Sequence, residues 1–393
     1  AIDPSLLRTE NPEAVDQVRA EIEGLTRFNA ERWQRWMDAP LDEVPGYYLL
    51  ARGVLQPDAQ RLAARMDALG VRAVFRTPGH RRVYPNGTVG AHVIGALDAA
   101  GELGIAGAER TFDELMRGRE VEMHVQRDAR RRAYLFEEAP DLRRAAGNTV
   151  VLAIDRRIQQ AAEEELGAVC EDWEATLGVV VVSRPQTGEL LAVAVWPPFN
   201  PNGRELPENA WANPAVALNF EPGSTTKVFT FASAIDAGGA RFDDVYSCNG
   251  GYYSLGGKSM HDEYCHGSIA AWQVVRDSSN IGAIALGTSM SPVQHHDYLR
   301  RFGFGASTES GLPGERTGTL PPPPWGRATQ GTISYGYGLD ASLLQLNMAT
   351  AAVANGGVLM RPIVALRVVG PEGDVLQTFE PQTVAVGVAI DRV

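Results

Sequence analysis

Lysine is nearly absent from this chain. Of 36 basic residues only two, Lys227 and Lys258, are lysine, so arginine carries positive charge almost everywhere else. Cysteine is scarce too, and Cys170, Cys248 and Cys265 are too few for a disulfide-rich scaffold. No apolar run approaches the roughly 18 residues that span a bilayer; pieces such as Leu177 to Val182 have the length of a strand. There is no basic excess, and a net charge of −12 argues against a nucleic-acid partner. The opening AIDPSLLRTENPEAV lacks the apolar centre of a signal peptide and reads as an internal segment.

What is present is globular. Hydrophobic residues make up 44% and charged residues 21% of 393 residues, which suggests two domains rather than one core. Residues 1–146 are charged and loop-rich. Within them PDAQRLAARMDALG (Pro57 to Gly70) predicts a helix with proline in its first turn and glycine past its end. VRAVFRT then predicts a strand, and the arginines of RDARRRAY (Arg127 to Tyr134) a solvated hairpin tip. Residues 147–393 have another texture. GNTVVLAID predicts a strand ending at Asp155, a good N-cap for the amphipathic stretch after it. LGVVVVSRPQTGELLAVAVW predicts a strand, a turn and a second strand, and LLQLNMATAAVANGG an apolar helix closed by Asn-Gly-Gly. The class is α+β, an antiparallel sheet with a helical lobe beside it.

The chemistry concentrates at FEPGSTTKVFT, Phe220 to Thr230. With Ser224 at a helix start, its hydroxyl lies near free backbone N–H groups and the positive end of the dipole. Lys227, three residues on, falls on the same face. A lysine in an apolar wall loses proton affinity and can act as a neutral base, which arginine cannot. The plainer account is an N-cap serine with a snorkelling lysine. Sixteen serines and two lysines give this spacing by chance about one time in twelve. A companion weighs against chance: Ser278-Ser279-Asn280, entering another apolar helix. Cys248 and Cys265 flank a Gly-rich segment and could form one disulfide. With His261 and His266 they could instead bind zinc, but nothing sets four ligands in tetrahedral order, so no metal site is expected.

Taken together, FEPGSTTK, SSNIG, SRPQTGELLAVAVWPPFNPN, SYGYGL and AAVANGG resemble the class B penicillin-binding proteins, peptidoglycan D,D-transpeptidases, closest to the septal cell-division type. The segment RRVYPNGTVGAHVIGALDAAGELGIAGAERTFDELMRG resembles their N-terminal pedestal. The resemblance implies an elongated pedestal over residues 1–146 and a transpeptidase domain over 147–393. It implies Ser224 as acylated nucleophile, Lys227 as its base, Ser278 as proton relay, and Asn280 as a ligand of substrate that also helps to hold Lys227. It places Gly223 and Ser279 beside the substrate and requires no cofactor. Implied partners are peptidoglycan stem peptides or a lipid-linked precursor, β-lactams, a glycosyltransferase, and divisome or elongasome proteins. The implied location is the periplasm or outer face of the cytoplasmic membrane, with an N-terminal anchor outside this chain. The same superfamily contains β-lactamases and D,D-carboxypeptidases, and a non-catalytic assembly scaffold is a further alternative.

One motif departs from the pattern. The resemblance calls for Lys-Thr-Gly on a strand, on the order of a hundred residues or more after Ser278. The chain offers Arg316-Thr317-Gly318-Thr319, much too early and followed by four prolines. Those residues are not expected to be the third motif, which is expected beyond Val393; the transpeptidase domain is thus expected to be incomplete at its C-terminus.

Overall fold

The computed structural model describes residues 1–23, 29–51, 54–76, 82–118, 125–127, 133–136, 146–203, 210, 212–255, 257–262 and 267–388. The chain forms two compact units, Ala1–Val83 with Ala99–Glu102, and Tyr84–Asp98 with Leu103–Val393. The change of texture at 146/147 thus lies inside the second unit. Among the described residues no helix is long and apolar enough to cross a membrane. Of the arginine-rich stretch, residues 128–132 lie outside the described residues.

The first unit is built from four helices, α1 (Pro4–Glu10), α2 (Val15–Glu23), α3 (Ala30–Asp38) and α4 (Gln56–Ala68). Ile2, Leu7, Val18, Ile22, Trp33 and Met66 form its core. Helix α4 has proline in its first turn, and Gly70 beyond its end is left-handed at φ 67°. The expected strand VRAVFRT is reduced to one bridge, Val74 to Ile2, which also pairs with Tyr48. Its partner segment is short: the chain leaves extended geometry at Asp3, whose side chain caps α1 by accepting from Leu6 N.

The second unit begins its sheet framework with β1 (Thr149–Leu152) and α5 (Arg156–Asp172), where Asp155 caps the helix by accepting from Arg157 and Ile158 N–H. Next come β2 (Gly178–Ser183) and β3 (Leu190–Trp196), antiparallel with Val180 opposite Ala194. The buried Gln159 side chain locks α5 to β3, donating to Val193 O at 3.0 Å and accepting from Val193 N at 2.7 Å. A buried amide bonded twice in this way fixes register as well as contact.

The helical lobe comprises α6 (Lys227–Asp236), a hairpin of β4 (Tyr252–Leu255) and β5 (Lys258–His261), then α7 (Ala271–Arg276), α8 (Asn280–Thr288), α9 (Pro292–Arg301), α10 (Arg327–Ser334) and α11 (Leu343–Ala354). Two late strands, β6 (Ala365–Val369) and β7 (Val375–Thr378), join β1 in the order β7-β6-β1. Helix α6 is buried on nearly every side because VFTFASAI is apolar all round. Phe229 packs on Phe302 and Phe304 with ring centres 5.1 and 5.2 Å away, and Thr230 Oγ1 donates to Ser334 O on α10. Gln330 Nε2 donates to Gly287 O and Met290 O, satisfying carbonyls at the end of α8. Helix α11 starts with a Ser342/Gln345 capping box and ends at Gly356 and Gly357, both left-handed.

The Gly-rich loop before α10 is organised by Glu315. Its carboxylate accepts from Ser307 Oγ, Thr308 N and Oγ1, Glu309 N, and Ser310 N and Oγ. Arg316 to Thr319 follow in this loop and form no strand; only Thr319 bridges, to Asp340.

Helices α8 and α10 touch where a side chain is missing. A Cβ on Gly287 would lie 1.9 Å from Ser334 Oγ and 3.1 Å from His295 Cε1. Ser334 cannot easily turn away, since its hydroxyl donates to Gln330 O at 2.7 Å. Gly287→Ala is expected to lower unfolding free energy by about 1–3 kcal/mol through overpacking, measured by urea denaturation; an unchanged midpoint would show that this contact is not tight.

Candidate active site

Ser224 lies in a 3-10 turn, Gly223–Thr226, that runs directly into α6. The sequence placed it at the start of the helix, and the tighter turn is the difference. The turn is held from outside the motif. Gly223, left-handed at φ 55°, donates its N–H to Gly336 O at 3.1 Å, and a Cβ on Gly336 would fall 2.0 Å from Gly223 O. Glu221 accepts from Gly338 N at 2.8 Å. The SYGYGL segment is therefore the backbone support of the nucleophile turn, a role its composition did not reveal.

Lys227 opens α6 and is 1% exposed, among the largest fully buried side chains of the described residues. Its Nζ lies 3.1 Å from Ser224 Oγ, 3.0 Å from Ser278 Oγ and 2.5 Å from Ser278 O. The three-residue spacing thus delivers the lysine to the serine as expected on a helical face, and the second motif meets both. Burial pushes the Lys227 pKa down to about 8, against a smaller upward pull from Asp262. A lysine at that value keeps a useful neutral fraction near neutrality.

The second motif is a strained turn leading into α8. Ser278 is a non-glycine residue at φ 55°, which costs on the order of 1–3 kcal/mol unless the surroundings enforce it. That conformation lets both its carbonyl and its hydroxyl face Lys227. Ser279 is the N-cap of α8, accepting from Gly282 N at 2.9 Å and donating to Asp262 Oδ2, and is 2% exposed. Its hydroxyl is committed inside the protein, so a substrate contact through it, as the resemblance implied, is not available in this geometry. Asn280 Nδ2 donates to His261 O at 3.0 Å. Asn280 is not among the three acceptors of Lys227; Ser278 takes that place twice.

Asp262 was missed in the sequence. It follows β5 and accepts from the first turn of α8, and no local spacing joins it to residues 17 and 18 positions later. Cys248 is buried and disulfide-bonded, while Cys170 is free. Cys265 and His266 lie outside the described residues. Among the described residues no group of three or more His, Cys, Asp or Glu could hold a metal ion.

Residues 178–388 match the model of the penicillin binding protein transpeptidase domain. The chain is 32% identical over 378 residues to a probable peptidoglycan D,D-transpeptidase, PenA, of Neisseria meningitidis, covering 93% of this chain and 63% of that protein. It is 31% identical over 355 residues to the peptidoglycan D,D-transpeptidase FtsI of Escherichia coli, covering 87% and 59%. The crystal structure of penicillin binding protein 3 from Mycobacterium tuberculosis complexed with ampicillin superposes with a TM-score of 0.67 at 31% identity, covering 79% of this chain and 66% of that one. The chain therefore spans about 60% of the length of these curated relatives. A Ser-x-x-Lys pair with its lysine buried, closed by Ser-x-Asn, on a fold and sequence shared this widely, places the chain in the penicillin-binding protein transpeptidase family, among its class B members.

Proposed function

We propose that the chain carries the acylation centre of a serine D,D-transpeptidase that cross-links peptidoglycan. The observation behind this reading is the buried Lys227 amine, within 3.1 Å of Ser224 Oγ and held on its other side by Ser278. A neutral amine has two N–H donors and one lone pair. The carbonyl and hydroxyl of Ser278 take the two donors, which leaves the lone pair for the Ser224 proton.

In the proposed reaction Ser224 Oγ attacks the carbonyl of the penultimate residue of a D-Ala-D-Ala stem, and its proton passes to Lys227. The Ser224 N–H, in the first turn before α6, supplies part of the oxyanion site. Collapse of the tetrahedral adduct breaks the peptide C–N bond, and Ser278 relays a proton to the departing D-alanine. An amine of a second stem then attacks the acyl-serine ester, giving up its proton by the reverse route as the C–O bond breaks. A β-lactam would acylate the same oxygen by opening its ring. The family likeness further supports an extracytoplasmic site, a membrane anchor and a peptidoglycan glycosyltransferase as partner, each as part of this proposal.

Acylation of the whole protein by a fluorescent penicillin tests it. Peptide mass spectrometry is expected to find the adduct on Ser224, and Ser224→Ala to remove it; labelling that survives would exclude this nucleophile. Lys227→Arg is expected to slow acylation at least about 100-fold, because a guanidinium cannot take the proton. Protonated Lys227 is inactive as a base, so the acylation rate should rise with pH and level off above about 8. A wild-type profile flat from pH 6 to 9 would remove Lys227 from the step. An adduct that persists for many minutes fits a transpeptidase, whereas turnover within seconds would indicate a β-lactamase.

A further inference from the structure

The left-handed turn at Ser278 needs something to hold it, and the contacts converge on one carboxylate. Asp262 is 8% exposed. Its Oδ2 accepts from Ser279 Oγ at 2.5 Å and from Ile281 N at 3.3 Å; its Oδ1 accepts from Asn280 N at 2.5 Å and again from Ile281 N at 3.3 Å. One side chain thus binds the N-cap hydroxyl and the first two N–H groups of α8, at the positive end of the helix dipole. The grip is doubled by the neighbouring residue, whose carbonyl His261 O holds Asn280 Nδ2. The hairpin is fixed in turn, because Asp262 N donates to Gly251 O at 3.0 Å and Cys248, just before the hairpin, is disulfide-bonded.

We propose that Asp262 is a positioning residue for acylation of Ser224 with two separable actions: its hydrogen bonds hold Ser278 and Asn280 in register, and its carboxylate, bonded to the residues that follow Ser278, sets its charge against the Lys227 amine that Ser278 holds. This rests on the reading of Ser224 and Lys227 given above. The second action follows from opposed effects at one amine. Burial favours neutral Lys227, and Asp262 favours the ammonium. Other titratable groups lie around the turn: His261 on the hairpin, Glu221 before the nucleophile, Tyr335 and Tyr337 after α10, and Arg276 and Asp277, which pair with each other after α7. Among the described residues Asp262 is the one whose charge acts appreciably on Lys227.

The two actions predict different signatures. Asp262→Asn removes the charge and puts an NH2 where an acceptor is needed. Asp262→Glu keeps the charge but misplaces the carboxylate, and Ser279→Ala removes one hydrogen bond while leaving the charge in place. The test is the second-order rate of acylation by a fluorescent penicillin from pH 6 to 9, with a thermal melt of each variant. All three variants are expected to lower the plateau, Asp262→Asn by about tenfold to a hundredfold. Only in Asp262→Asn is the rising limb, near pH 8 in the wild type, expected to move to lower pH, by about half a unit or more. A limb that stays in place in a folded Asp262→Asn protein would overturn the electrostatic action. So would an equal displacement in Ser279→Ala. If Asp262→Asn does not fold, Asp262→Glu decides: a wild-type limb with a lowered plateau supports the proposal, and a displaced limb contradicts it. A wild-type protein that is not acylated at Ser224 would instead defeat the underlying reading.

Discussion

A lysine amine taken out of water is the constraint on which the site depends. An ammonium buried without partners is strongly disfavoured, and burial with imperfect compensation is how a protein makes an amine basic enough to bind a proton yet ready to be found without one. Lys227 is compensated by two serines and one backbone carbonyl, with a carboxylate further off. Among the described residues no carboxylate touches it directly. A direct ion pair would have kept it charged and useless as a base, whereas a wholly apolar pocket would have left the amine without hydrogen bonds.

The surrounding fold reads as the means of holding that compromise. Helix α6 has to be apolar on all sides to dry the lysine, so its neighbours must supply aromatic and aliphatic surface; Phe229 against Phe302 and Phe304 is where they do. Two acceptors of Lys227 belong to Ser278, in the turn before a different helix, and their distances depend on how α8 sits on α10 and on the hairpin. Gly287 and Gln330 fix the first contact; Asp262 and His261 fix the second. A strained Ser278 is tolerable in such a frame because its conformation is imposed from both ends.

The legible parts of this arrangement were those written in local spacing. Ser224 and Lys227 are three residues apart, the Ser278 triplet is contiguous, and the strands β1 to β3 and helix α11 carry their own periodicity and caps. The class of fold and the family followed from these. Asp262 was not legible because its partners lie 17 to 19 residues away, beyond α7, and a lone aspartate after a His is an ordinary surface pattern. Glu315 was hidden for a related reason: its six donors come from the four residues Ser307 to Ser310, so its role exists only once the loop has closed. VRAVFRT looked like a strand because its composition is right, but strand identity requires a partner, and the partner ends at Asp3. Ser279 shows the opposite case, since a motif position between Ser278 and Asn280 suggested substrate contact while its hydroxyl caps α8 and bonds Asp262.

The ionisation of Lys227 can be observed directly, because lysine is so rare here that the amine can be identified after isotopic labelling and assigned with the Lys227→Arg variant. A titration followed by NMR at the lysine Cε carbon is the most direct test. The account requires Lys227 to lose its proton at about pH 8. A midpoint at the ordinary lysine value of about 10.4 would mean that the amine is charged throughout the working range, and that Ser224 is activated by some other group.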